Sequence, residues 1–479
     1  MNKLLIIFFF LPNLTFGMEV DSLILQNILD EIYESVADYR VSKPEIEITN
    51  TQSYVAKYSP GSHKISVESK AIEVCKLLKP FEKEALAFII GHELAHSYQD
   101  YLSSNDESSF LAYHKINTSS RNHSNDAKEK EADVFGAFSA YLAGYEIQNI
   151  FPDIIDSLYS SYNIGEKLLS NYPSKSYRKK TATSLSTKLD TMVNLYESAT
   201  LFSLSGYYDE AKNITLELNK NYKGCEIYNL IASNILLEVI DLKCSSDEGP
   251  FYPIELDFNS SIQRAQTVAA KSLSELEKQY ISKLLQDAMI KLDVGAKMNP
   301  YYFPIRINKV YAFLLNENHK AAWNEILTIE GDINLYSEDE QSLIILSKGI
   351  IYNELGHENG DRLLKELINH NDEQISKIAR FNLVGNCDEK GKIDCFHQED
   401  LFEKSRLDFT FSFSKTGGSN FNYYSDNFQL KLSEVPPQNS LPIADFINER
   451  YEVFKMNCDE VIIYDSVKKK YFQILQFLD

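Results

Sequence analysis

The chain has 479 residues, with 48 basic against 69 acidic side chains and a formal net charge of −21. A surface that acidic argues against binding nucleic acid or anionic lipid by general electrostatics. Hydrophobic residues make up 44 %, enough for more than one core, and the length suggests two to four domains.

Met1 to Gly17 carries one early cation (Lys3), then Leu4-Leu-Ile-Ile-Phe-Phe-Phe-Leu11, then a small-residue end at Thr15-Phe-Gly17. This order reads as a secretory signal cleaved after Gly17, and the apolar run is too short to span a bilayer. No later stretch approaches about 18 uninterrupted apolar residues, so the mature chain is expected to have no transmembrane segment. The expected location is outside the cytoplasm: periplasmic, with secretion as the alternative. Six cysteines (Cys75, Cys225, Cys244, Cys387, Cys395 and Cys458) form an even set compatible with disulfides in an exported chain. Nearest neighbours pair Cys225 with Cys244 and Cys387 with Cys395; buried free thiols are the alternative.

Ser22 to Tyr39 places Leu23, Leu25, Ile28, Leu29, Ile32 and Val36 at helical spacing. Glu45-Ile-Glu-Ile48 alternates as a strand does. Ser59-Pro-Gly-Ser62 is a turn, and His63-Lys-Ile-Ser-Val67 returns as a second strand, so the segment predicts a hairpin. Phe81 to Tyr101 reads as one helix, with Pro80 at its entrance, Glu82 and Glu84 in its first turn, and only Gly91 as an interior breaker. Leu86, Ile89, Ile90 and Leu94 give it a buried face.

His92 and His96 lie four apart on that helix and present two imidazoles to one point. Two neutral imidazoles suit a borderline-soft ion such as zinc, and Glu93 beside them is placed to take a proton from water. Two histidines satisfied by carboxylates in a core are the alternative. A catalytic zinc needs three protein ligands and one open position. After a polar run from Ser103 to Asp126, Glu129-Lys-Glu-Ala-Asp133 opens a second helix. Glu129 and Asp133 share a face, whereas Glu131 points elsewhere. One carboxylate can bind the ion while the other accepts the N–H of a ligating imidazole. Glu129 is assigned to the ion and Asp133 to the imidazole. His63, His114 and His123 are further histidines near this stretch, more at home as surface residues.

The pairing of Leu86-Ala-x-x-x-Gly91-His92-Glu93-x-x-His96 with Glu129-x-x-Ala132-Asp133-x-x-Gly136 resembles the HtpX, BepA and prenyl-protease-type zinc metallopeptidases, the gluzincins of peptidase family M forty-eight. The resemblance covers about residues 20 to 190. It implies one zinc per chain held by His92, His96 and Glu129, with Glu93 as general base. It also implies a small sheet beside the cleft whose edge pairs with an extended substrate backbone. Asn171-Tyr172-Pro173 to Arg178 is similar to the family's His-Pro-x-x-x-x-Arg segment, with Tyr172 where histidine is usual. The Tyr172 phenol can donate to a developing oxyanion, and Arg178 can orient the loop or a substrate carbonyl, with a plain surface arginine as the alternative.

Thr191 to Val384 reads as successive amphipathic helices. Leu201 to Ala211, Ala312 to Trp323 and Gly349 to Gly356 resemble parts of tetratricopeptide repeats, with Glu317 in a glycine place. A non-repeating bundle is the alternative. A solenoid would offer a concave surface to client or envelope assembly proteins. After Asn386 the pattern turns to strands: Leu407 to Phe413, Phe428 to Leu432, Glu460 to Tyr464 and Tyr471 to Leu478, with a helix at Ala444 to Phe454.

The predicted architecture is mainly α with α+β parts. A signal peptide (1–17) precedes a gluzincin domain with a small β-sheet (18–190). A tetratricopeptide-like helical region (191–385) and a small α+β domain (386–479) follow. The expected function is an exported zinc metalloendopeptidase acting on protein or peptide substrates in envelope quality control. The alternative is a catalytically silent metal-binding chaperone or scaffold that holds clients through its helices.

Overall fold

The computed structural model describes residues 12–384 except 52–53, 105–120, 148–149, 163–174, 205–206, 244–249, 257–262 and 268–272. Beyond residue 384 it describes 422–424, 428–433, 441–442, 451–457, 460–465 and 470–476. Among these residues the protein is mainly helical, with fourteen α-helices and a small three-stranded sheet. The chain divides into two compact units, residues 1–193 with 220–223 and residues 194–219 with 224–479.

The first unit begins with α1 (Pro12–Val36), which buries Leu25, Ile28, Leu29, Ile32 and Val36 on the face the apolar spacing predicts. Residues 1–11 of the expected signal lie outside the described residues; Pro12 to Gly17 belong to α1. Three strands follow: β1 (Glu45–Thr49), β2 (Ala56–Ser59) and β3 (Lys64–Glu68). They pair in the order β1–β3–β2. The expected hairpin between the first strand and His63 to Val67 is not what forms. β1 runs parallel to β3, with Ile46 opposite Ile65 and Ile48 opposite Val67. The hairpin partner is β2, antiparallel to β3, with Ala56 opposite Val67 and Tyr58 opposite Ile65. Burial explains the outcome, because Ile65 and Val67 are fully buried and β3 therefore takes the centre.

Next come α2 (Ser69–Lys76), α3 (Glu82–Ser104), α4 (Arg121–Leu142) and α5 (Phe151–Ser161). Pro152 stands in the first turn of α5, where its missing N–H costs nothing, and so starts that helix rather than interrupting one. No helix among the described residues is long and apolar enough to cross a membrane.

The helix α6 (Lys175–Leu204) ends the first unit and opens the second. There α7 (Tyr208–Asn219) and α8 (Cys225–Lys243) precede a hairpin of β4 (Phe251–Glu255) and β5 (Gln263–Thr267). Six helices complete the run: α9 (Glu275–Met298), α10 (Phe303–Leu315), α11 (His319–Gly331), α12 (Glu338–Glu354), α13 (Asn359–Leu367) and α14 (Glu373–Val384). The β4–β5 hairpin falls where the helical pattern is irregular. Its buried backbone is answered by side chains: Asn229 and Ser233 of α8 and Asn308 of α10 all donate to the carbonyl of Glu255.

The turn between α10 and α11 carries a strained residue. Glu317 has a φ of +58°, while Gly356 after α12 reaches +67° at no steric cost. Glu317 is exposed and its one recorded ion pair, to Lys243, is 3.7 Å long, so little compensates the strain. Glu317→Gly is expected to stabilise the protein by about 1 kcal/mol, after allowing for the freer unfolded glycine chain. Thermal unfolding reads this out, and a melting temperature at or below that of the parent would show that the turn is not strained.

The expected Cys225–Cys244 pair falls partly outside the described residues: Cys225 is the first residue of α8, while Cys244 lies outside them. Cys225 is buried, with its thiol donating to the Gly295 carbonyl at 3.4 Å, and Cys75 is a buried free thiol. Cys387 and Cys395 lie outside the described residues.

The C-terminal part contributes β6 (Asn422–Tyr424), β7 (Phe428–Ser433), β8 (Leu441–Pro442), β9 (Tyr451–Asn457), β10 (Glu460–Asp465) and β11 (Lys470–Gln476). They form one sheet in the order β6–β7–β11–β10–β9–β8. The helix expected at Ala444 to Phe454 is corrected over its described part: Tyr451 to Asn457 is a strand paired with β10. Tyr451, Val453 and Phe454 are the aromatic and β-branched types that favour a pleated strand over a helix. Leu407 to Phe413 lies outside the described residues.

Candidate metal centre

The site depends on how closely two helices approach. A Cβ on Gly91 of α3 would lie 2.6 Å from the carbonyl oxygen of Gly136 in α4. A Cβ on Gly136 would lie 2.4 Å from the Gly91 carbonyl carbon and the His92 amide nitrogen. The two backbones therefore touch, which only paired glycines allow. From that crossing, α3 runs forward through His92 to His96, while α4 runs backward through Asp133 to Glu129.

The consequence is a convergence of three side chains. Nε2 of His92 and Nε2 of His96 lie 3.1 Å apart. Glu129 places Oε2 at 3.5 Å from the first and Oε1 at 3.6 Å from the second. In a tetrahedral site with metal–ligand bonds of about 2 Å, ligand atoms are separated by about 3.3 Å. The observed triangle fits that spacing, so His92, His96 and Glu129 could together hold a metal ion. Their side chains are 13, 23 and 38 % exposed, so the group is held from below and open on one side.

The remaining predicted residues fall around this triangle. Asp133, 2 % exposed, has Oδ1 2.8 Å from Nδ1 of His92. Glu93 is buried, and its Oε2 accepts the backbone N–H of Tyr58 at 2.7 Å. That donor belongs to β2, the edge strand beside the centre. Burial works against a charged imidazole at His92, but the carboxylates of Asp133 and Glu129 outweigh it and push its pKa up to about 10. The carboxylates thus call for positive charge at this point, and a divalent cation supplies it as well as a proton does.

A cavity of about 260 Å³ opens over the triangle. Its polar side is His92, Glu93, His96 and Glu129; its apolar side is Phe88 and Ile89 of α3 with Ile155 and Leu158 of α5. Tyr58 and the residues before it supply the strand wall.

Gln99 has no counterpart among the predicted residues. Its Oε1 lies 2.9 Å from Nδ1 of His96, and its Nε2 donates to the Lys128 carbonyl at 2.8 Å and to Glu131 at 3.3 Å. The available clue was positional: Gln99 stands one turn beyond His96 on the same face. His63 stands apart from the centre, with Nδ1 2.9 Å from the Tyr58 hydroxyl and Nε2 2.7 Å from the Ser42 carbonyl. Tyr172 and His114 lie outside the described residues, as do the side chains of Arg178 and His123. No protein-family model matches the chain, and no curated protein matches it.

Proposed function

We propose that this chain is a zinc-dependent metalloendopeptidase of the gluzincin kind, one that cleaves protein substrates outside the cytoplasm. The observation that carries the proposal is the enclosure of one point by two imidazoles from α3 and a carboxylate from α4, with a buried carboxylate alongside. Two nitrogens and one oxygen suit zinc, and three protein ligands leave the fourth position for chemistry.

Zinc, when bound, supplies a Lewis acid toward a carbonyl and toward water. The chain's own groups do the rest. Glu93 takes the proton of the attacking water and passes it to the leaving amine, so the carboxylate ends as it began. Asp133 fixes the orientation of His92. The outer edge of β2, beyond the Tyr58 N–H that Glu93 already accepts, can pair with an extended substrate strand, and Phe88, Ile89, Ile155 and Leu158 keep water from one side of the cleft. The helical pairs of the second unit, which resemble tetratricopeptide repeats, would hold clients, and envelope protein quality control is the role this combination suits. The signal-like residues Met1 to Gly17 support a periplasmic or secreted location.

Elemental analysis of the purified protein is expected to give about one zinc per chain, the number a single three-ligand site takes. Cleavage of a denatured reporter protein should stop on chelation and return when zinc is restored. A full zinc complement with no cleavage of any denatured substrate would remove the hydrolase and leave a metal-binding scaffold.

A further inference from the structure

We infer that Gln99 is a positioning residue that sets the tautomer of His96 and ties it to the helix carrying Glu129. The inference follows from which atoms can donate. The Lys128 carbonyl only accepts, so the Gln99 atom 2.8 Å from it is the amide nitrogen. The Gln99 carbonyl oxygen then faces Nδ1 of His96 at 2.9 Å, and that nitrogen must carry the hydrogen. Nε2 of His96 is left with its bare lone pair aimed at His92 and Glu129.

The same amide joins two helices. Lys128 directly precedes Glu129, so a hydrogen bond to its carbonyl fixes the α4 backbone at the third member of the triangle. One glutamine thereby holds both the ring on α3 and the backbone on α4. His92 is served differently, by the Asp133 carboxylate at its own Nδ1. The two imidazoles thus have supports of different charge, an anion behind His92 and a neutral amide behind His96.

This role rests on the metal reading above, and two variants separate the outcomes. Gln99→Leu removes both the acceptor at Nδ1 and the donor to Lys128. Gln99→Glu keeps an acceptor at Nδ1, loses the donor to Lys128 and adds a negative charge of the kind Asp133 already places behind His92. Zinc affinity is measured by competition with a chromophoric chelator, and the cobalt-substituted proteins are compared by their visible absorption. Gln99→Leu is expected to bind zinc about 10- to 100-fold more weakly and to show a changed cobalt spectrum. Gln99→Glu should stay within a few-fold of the parent. Thermal unfolding identifies any loss that merely follows from unfolding.

Parent-like affinity and spectrum in Gln99→Leu would overturn the inference while leaving the metal site standing. A loss in Gln99→Glu equal to that in Gln99→Leu would overturn the tautomer assignment, because the tether alone would then carry the effect. A parent protein that takes up neither zinc nor cobalt would overturn the metal reading itself.

Discussion

Glu93→Gln is expected to lower the rate of peptide hydrolysis by about 10²- to 10⁴-fold while leaving zinc content unchanged. The substitution is nearly isosteric and removes one capacity only. A glutamine carbonyl still accepts the Tyr58 N–H that now reaches Oε2 at 2.7 Å, so the side chain should stay where it is. It cannot take a proton from water. Steady-state cleavage with zinc quantified on the same sample is the measurement. Parent-like turnover in a zinc-replete Glu93→Gln protein would remove Glu93 from the mechanism.

The second large effect is expected at Gly136. Inside a helix, glycine to alanine ordinarily gains about 1 kcal/mol from propensity alone. At Gly136 that gain is overridden, because the new Cβ would sit 2.4 Å from two backbone atoms of α3. Backbone cannot swing aside as a side-chain tip can, so the two helices must move apart. Overpacking of this kind costs about 3 kcal/mol. For a unit of this size, that is a fall in melting temperature of about 6–12 °C. Separating the helices also carries Glu129 away from His92 and His96, so zinc affinity should fall together with stability. A Gly136→Ala protein that melts at or above the parent temperature would show that the crossing is looser than described.

The candidate site was legible in the sequence wherever its geometry is local. His92 with His96 and Glu129 with Asp133 are each one turn apart on a helix, and that periodicity needs no tertiary knowledge. The α3 boundaries, predicted at Phe81 to Tyr101 and observed at Glu82 to Ser104, follow from the same pattern. What stayed hidden depends on partners distant in sequence. β2 is Ala-Lys-Tyr-Ser, too short and too polar to announce itself, and its place beside β3 decides that β1 must pair in parallel. Gln99 is an ordinary helix-surface glutamine until Lys128 is brought to its amide. The strand at Tyr451 to Asn457 was mistaken for helix because its apolar residues fit both periods over so short a span.

The donor that steadies Glu93 is a main-chain amide, and this has a consequence for how the protein tolerates change. Any amino acid at position 58 brings that N–H with it, whatever its size or charge, so the hold on Glu93 survives nearly every substitution there. Proline is the exception, since its ring nitrogen has no hydrogen to give. A single imino acid at an unremarkable tyrosine would therefore loosen the Glu93 carboxylate while the side chains of His92, His96 and Glu129 stay intact.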